Sequence, residues 1–130
     1  MKLSVPKELL PTEKRVAISP DNIHALQKLG YQVSVQSGAG EQANFTDINF
    51  EKAGANLVDD PSTLLGDADL VLKINPPTTE EVSLFKEGAT LISFAYPARN
   101  EELLKSLGAQ KINWLAMDCV PRISRAQSMD

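Results

Sequence analysis

The stretch "DLVLKINPPTTEEVSLF", residues 69–85, decides the fold. Its opening run, 69–75, is the most apolar strand candidate in the chain, and Pro76-Pro77 ends it abruptly, because proline cannot donate to a backbone ladder. Thr78 then stands at a helix N-cap, followed by Glu80 and Glu81 in the first turn, where the helix dipole favours negative charge. A buried-type strand, a hard break and a capped helix in immediate succession form one half of a βαβ unit.

The same alternation extends in both directions. Upstream, "KLSV" (2–5) reads as a strand, and "SPDNIHALQKLG" (19–30) as a helix with Ser19 as N-cap, Pro20 at the first helical position and Gly30 as the stop. Ile23, Leu26 and Leu29 give that helix one apolar stripe. "YQVSV" (31–35) alternates as a strand, "TDINFEKAG" (46–54) is a helix capped by Thr46, and "ANLVD" (55–59) is a strand. "PSTLLGDA" (61–68) supplies a helical turn or two. Downstream come the strand "ATLISFA" (89–95), the helix "NEELLKSLG" (100–108) and the strand "KINWLAM" (111–117). Such alternation predicts a doubly wound, mainly parallel sheet with helices on both faces, of Rossmann or flavodoxin type, in a single α/β domain. Ligands of these sheets collect beyond the carboxyl ends of the strands, which directs attention to loops 36–45, 75–78, 95–99 and 118–130.

Composition narrows the function classes. The 130 residues carry a net charge of −4, with Lys and Arg scattered, so phosphate-backbone binding to nucleic acid is not expected. One cysteine, Cys119, and one histidine, His24, exclude an internal disulfide, a thiolate zinc site and a histidine metal cluster; no metal site is expected. No apolar run reaches the ~18–20 residues of a membrane span. "MKLSVPKELL" lacks the layout of a signal peptide, and the chain is expected to be soluble in a reducing compartment.

"GAGEQA" (38–43) satisfies G-x-G-x-x-[GA] after a strand, and Asp59 and Asp60 follow at about the spacing of a ribose-binding acid. The pyrophosphate mechanism needs a helix to open inside the motif, whereas the next cap, Thr46, lies several residues past Gly40. A glycine-rich turn is the better reading. Arg15, beside the strand-like run "EKRVAIS", could clamp a carboxylate or pair with Glu13 or Glu8. Lys73 interrupts an apolar strand near its carboxyl end, which is costly without a partner or a task. A site-facing role is favoured over an outward position on an edge strand. His24 lies one position past the stripe and is given no catalytic role. Asp118 follows a strand, and Cys119 reads as a packing residue.

The tail "VPRISRAQSMD" (120–130) has no nucleophile–base pair, but its arginines, serines, Gln127 and Asp130 can position a polar ligand. The alternative is the first turn of a helix capped by Ser124 or Ser128. At this tail the chain resembles the start of proton-translocating NAD(P) transhydrogenase α subunits. "VPKELLPTEKRVAISPDNIHALQKLG", "VQSGAGEQANFTD", "AGA", "LVLKINPP" and "LISFAYPA" carry the resemblance over essentially all of the chain. The family shares this architecture with alanine dehydrogenases, which resemble the chain through Arg15 and Lys73 but carry a catalytic histidine in the segment matching "SFAYPA". Here that segment has Tyr96 and Pro97. Hydride transfer between two nicotinamides needs ring alignment rather than a proton donor, so this departure favours transhydrogenation.

What the resemblance implies is specific. Residues 121–130 would form a loop reaching over bound NAD(H), with Arg122, Gln127, Ser128, Met129 and Asp130 as cofactor contacts. Gln127 would be the catalytic residue, lying between the nicotinamides of NADH and NADP⁺. Ser128 and Asp130 would bond the carboxamide or ribose, and Arg122 would sit near the pyrophosphate or nicotinamide end. NADP(H) would be held by a partner component. The other implied partners are a downstream Rossmann domain of the same subunit, the membrane component and a second copy in a homodimer. The complex would lie at the cytoplasmic side of a bacterial inner membrane. Residues 1–130 are expected to be a truncated N-terminal domain lacking the second NAD-binding domain, inactive alone. An alanine- or saccharopine-dehydrogenase-like fragment and a non-catalytic binding or assembly module are the alternatives.

Overall fold

The computed structural model describes residues 1–9, 13–94 and 101–116. Strand and helix alternate through the described residues: β1 (Lys2–Val5), α1 (Pro20–Lys28), β2 (Gln32–Gln36), a 3₁₀ turn (Glu41–Ala43), α2 (Asp47–Ala53) and β3 (Asn56–Val58). Then follow α3 (Pro61–Gly66), β4 (Leu70–Leu72), α4 (Thr79–Leu84), β5 (Thr90–Ser93), α5 (Glu101–Ala109) and β6 (Asn113–Ala116). The six strands form one sheet in the order β3-β2-β1-β4-β5-β6, and every pairing is parallel. The doubly wound expectation holds.

Side-chain alternation explains why both faces are covered. Leu3 and Val5 of β1 and Val33 and Val35 of β2 enter one core cluster, closed by Ile23 of α1 and Phe50 of α2. Ser4 points to the other face, where its hydroxyl donates to the Leu64 carbonyl of α3 at 3.0 Å. On that face Val71, Val82, Phe85, Leu91 and Leu107 form the second cluster. A period of two in each strand thus feeds two cores. Burial of either core is the main favourable term, at roughly 25 cal/mol per Å² of apolar surface.

Helix ends follow the local signals. Thr46 caps α2, with its hydroxyl accepting from the Asn49 amide at 3.2 Å, and Asp60 caps α3 through the Ser62 amide at 3.2 Å. In α1 the Asn22 side chain reaches back to accept from the Ser19 amide at 3.2 Å. Leu29, expected in the apolar stripe, is instead the C-cap residue of α1 and is 74% exposed. Two other expectations need correction. Residues 13–19 beside Arg15 form no strand. The strand expected over 69–75 narrows to Leu70–Leu72. Pairing with β5 persists beyond it, since the Lys73 amide donates to Ile92 O at 3.0 Å and Phe94 donates to Ile74 O at 3.1 Å. Past the end of β4 the Ile74 and Asn75 amides donate to the Glu8 side chain, which follows the end of β1 at Val5.

Candidate functional site

Strand order reverses between β1 and β4, so the crevice beyond their carboxyl ends is the switch point of the sheet. Lys73 lies there, one residue past β4, on the same face as Val71. Its side chain is 1% exposed, and its ammonium sits 3.5 Å from Glu8 Oε1 and 3.5 Å from Glu81 Oε2. β4 is a central strand, which removes the outward, edge-strand reading of Lys73. The lysine lies at the carboxyl end of the sheet, where two internal carboxylates surround its charge.

Each carboxylate is itself fixed. Glu81 is the third residue of α4, and its Oε1 accepts from the Thr78 amide at 2.9 Å while its own amide donates to Thr78 Oγ1 at 3.1 Å. The capping box that starts α4 therefore also aims an acid at Lys73. Glu8, just past β1, accepts from the Ile74 and Asn75 amides at 2.9 and 3.0 Å. Asn75 Nδ2 donates to Glu13 Oε1 at 2.8 Å. Removing one member of such a buried set leaves an uncompensated charge, typically at a cost of about 3–5 kcal/mol.

Arg15 resolves in favour of the ion pair. Its Nε and Nη2 each lie 2.9 Å from a Glu13 carboxylate oxygen, and its backbone amide donates to Oε2 at 3.0 Å. Those bonds, the Arg15 side chain first, with help from Asn75, hold the Glu13 carboxyl down at about 2. Around the switch point three glutamates thus face two cations, Lys73 and Arg15. Such a set holds β1, β4 and α4 in register; it is not arranged to move protons.

The glycine segment is a packing device. Gly38 has φ +83°, and its amide donates to Asp47 Oδ1 at 2.8 Å, so the donor a phosphate would use is already taken. A Cβ on Gly40 would lie 2.6 Å from the Phe50 ring and 2.8 Å from Phe45 O. Both glycines therefore serve the turn, and the pyrophosphate does not fit here.

Arg122, Gln127, Ser128, Met129 and Asp130, with Asp118, Cys119, Tyr96 and Pro97, lie outside the described residues. The last described strand, β6, ends at Ala116 on the same side of the sheet as Lys73, which is where the chain enters that tail. His24 is exposed on α1. Among the described residues no group of His, Cys, Asp and Glu is arranged to hold a metal, and no helix is long and apolar enough to cross a membrane. Sequence reasoning missed the roles of Glu8, Glu81 and Asn75. The available signal was Lys73 itself, since a buried ammonium requires acids, and Glu81 stands eight residues on at the start of the next helix.

The family model described as "Alanine dehydrogenase/PNT, N-terminal domain" matches residues 4–130. NAD(P) transhydrogenase subunit alpha of Haemophilus influenzae is 48% identical over 130 residues, covering 100% of this chain and 25% of that protein. Alanine dehydrogenase of Halomonas elongata is 44% identical over 107 residues, covering 82% of this chain and 29% of that protein. The solved structure of a transhydrogenase from Sinorhizobium meliloti superposes with a TM-score of 0.92 at 36% identity, over 100% of this chain and 39% of that one. The chain thus spans about a quarter to two fifths of the length of these relatives.

Proposed function

The chain belongs to the alanine dehydrogenase/PNT N-terminal domain family, and from that premise we propose that it is the N-terminal part of the NAD(H)-binding component of a proton-translocating NAD(P) transhydrogenase. The observation that carries this reading is the 48% identity to a transhydrogenase alpha subunit over 130 residues, the full length of the chain. Bound NADH supplies the hydride, which passes to NADP⁺ held on a partner component. The chain's own contribution is positional: residues 121–130 close over the cofactor, Gln127 separates and orients the two nicotinamides, and Arg122, Ser128, Met129 and Asp130 hold the NAD(H) side. The pyrophosphate is held by a downstream Rossmann domain of the same subunit, in keeping with a glycine turn here whose amide serves Asp47. Residues 1–130 form the N-terminal domain of that subunit, in a homodimer attached through the membrane component to the cytoplasmic face of the membrane.

The second reading, an alanine-dehydrogenase-like enzyme, is favoured by the 44% identity over 107 residues. Tyr96, where the alanine dehydrogenases carry a histidine, opposes it. The full-length protein, assayed with its NADP(H)-binding partner, separates the two. Hydride exchange between NADH and an NADP⁺ analogue, indifferent to pyruvate and ammonia, is the expected result. NADH oxidation that requires pyruvate and ammonia would sink the transhydrogenase reading. In the same assay Gln127→Asn is expected to slow hydride transfer at least about tenfold with little change in NADH affinity.

A further inference from the structure

Ser93 closes β5 at the carboxyl end of the sheet and is 1% exposed. On its face of the sheet Leu91 precedes it in β5, beside Val71 of β4, and both belong to the second core cluster. A hydroxyl buried there is costly unless it is bonded. Both of its capacities are used: Ser93 Oγ donates to Phe94 O at 3.0 Å and accepts from Trp114 Nε1 at 3.0 Å. In the β5–β6 ladder Leu91 stands opposite Trp114, and Ser93 opposite Ala116. The indole therefore reaches diagonally toward the carboxyl end and bonds a member of the last pair of the ladder.

Burial by itself does not call for this bond. Replacing both partners of a buried hydrogen bond by apolar groups of the same shape is close to neutral. What a hydrogen bond adds is direction. β6 is an edge strand, and its neighbour in the sheet is β5. β5 is itself anchored on its other side past the end of β4, where the Lys73 amide donates to Ile92 O at 3.0 Å and the Phe94 amide to Ile74 O at 3.1 Å. The Trp114–Ser93 bond extends that anchoring from the switch point across β5 to the end of β6.

Resting on the transhydrogenase reading, we propose that Ser93 is a positioning residue for hydride transfer: through the Trp114 indole it fixes the carboxyl end of β6, from which the chain runs on toward Arg122 and Gln127. Transfer between two nicotinamides depends on their alignment, and a misplacement of about 1 Å can cost about a hundredfold in rate. Ser93 is assigned no contact with either nucleotide. It acts on the direction in which β6 leaves the sheet.

The test uses the full-length protein with its NADP(H)-binding partner, and hydride exchange between NADH and an NADP⁺ analogue in wild type is read first. No exchange in wild type would sink the transhydrogenase reading and this proposal with it, whereas exchange in wild type makes the variants decisive for Ser93 alone. Ser93→Ala removes the acceptor, and Trp114→Phe removes the donor but keeps a ring. Each is expected to slow hydride transfer at saturating NADH about fivefold, the equivalent of one lost hydrogen bond, with NADH affinity unchanged. The double variant is expected to be no slower than either single one, because both remove the same bond. Rates are taken well below the lowest Tm of the set, so that a merely structural role lowers Tm without moving them. A Ser93→Ala rate within about twofold of wild type, a double variant slowed by the product of the two single effects, or NADH affinity that falls in step with the rate overturns the proposal. Should Ser93→Ala fail to fold, the rate and affinity of Trp114→Phe decide by the same criteria.

Discussion

Replacing Gly40 by alanine separates a packing turn from a phosphate cradle. An added Cβ would stand 2.6 Å from Phe50 Cε2, 2.8 Å from Phe45 O and 2.9 Å from Phe45 Cβ. Carbon atoms in contact sit about 3.5–4.0 Å apart, so the closest approach is short by about 1 Å. Relief is difficult. Phe50 is fully buried in the first core cluster, and its ring stands edge-on to Phe45 at 6.1 Å between centroids. The carbonyl at 2.8 Å is backbone, fixed by the turn that follows β2. Overpacking of this kind costs about 1–3 kcal/mol, and two rigid neighbours put Gly40→Ala near the upper end, about 3 kcal/mol. At a few degrees per kcal/mol for a chain of this size, the expected Tm loss is about 10 °C. Urea unfolding of the ligand-free 130-residue chain, followed by circular dichroism, is the assay. A Gly40→Ala chain within about 0.5 kcal/mol of wild type, with full-length protein that loses NADH affinity, would refute the packing argument and restore the motif to the nucleotide.

Two further outcomes concern polar contacts elsewhere in the fold. The Glu13 carboxyl is held at about 2 against an ordinary value of 4.5, so its contribution to stability is present above about pH 4.5 and is lost as pH falls toward 2. Arg15 is 61% exposed, and solvent screening limits the pair to about 1 kcal/mol or less. Glu13→Gln is therefore expected to cost about that amount at pH 7 and progressively less as pH falls toward 2. A penalty independent of pH would point to lost packing instead. Ser93 accepts the Trp114 indole N–H at 3.0 Å, and Ser93→Ala would strand that donor at a cost of about 1 kcal/mol. Trp114 is the only tryptophan, so its emission reports the site directly, and an unchanged spectrum with unchanged stability would dismiss the bond.

The sequence by itself determined the elements and their order, because the signals that make them are local. Thr46 and Thr78 cap the helices they were expected to cap, Pro76-Pro77 separates β4 from α4, and alternation in "YQVSV" places Val33 and Val35 in one core. Refusal of the nucleotide reading for "GAGEQA" was also legible, since the spacing to Thr46 is a local property. The assignment of 121–130 rests on resemblance, since those residues lie outside the described ones. Only the tertiary structure decided the partners of Lys73. Glu8 lies 65 positions away in the chain, and nothing in the run "VPKELL" marks it as a ligand for the end of β4. The narrowing of β4 to Leu70–Leu72 was likewise invisible, because it depends on where β1 stops. Strand and helix arise from neighbours in sequence, whereas a buried charge is satisfied by whatever the sheet order brings beside it, and that order exists only once the chain has folded.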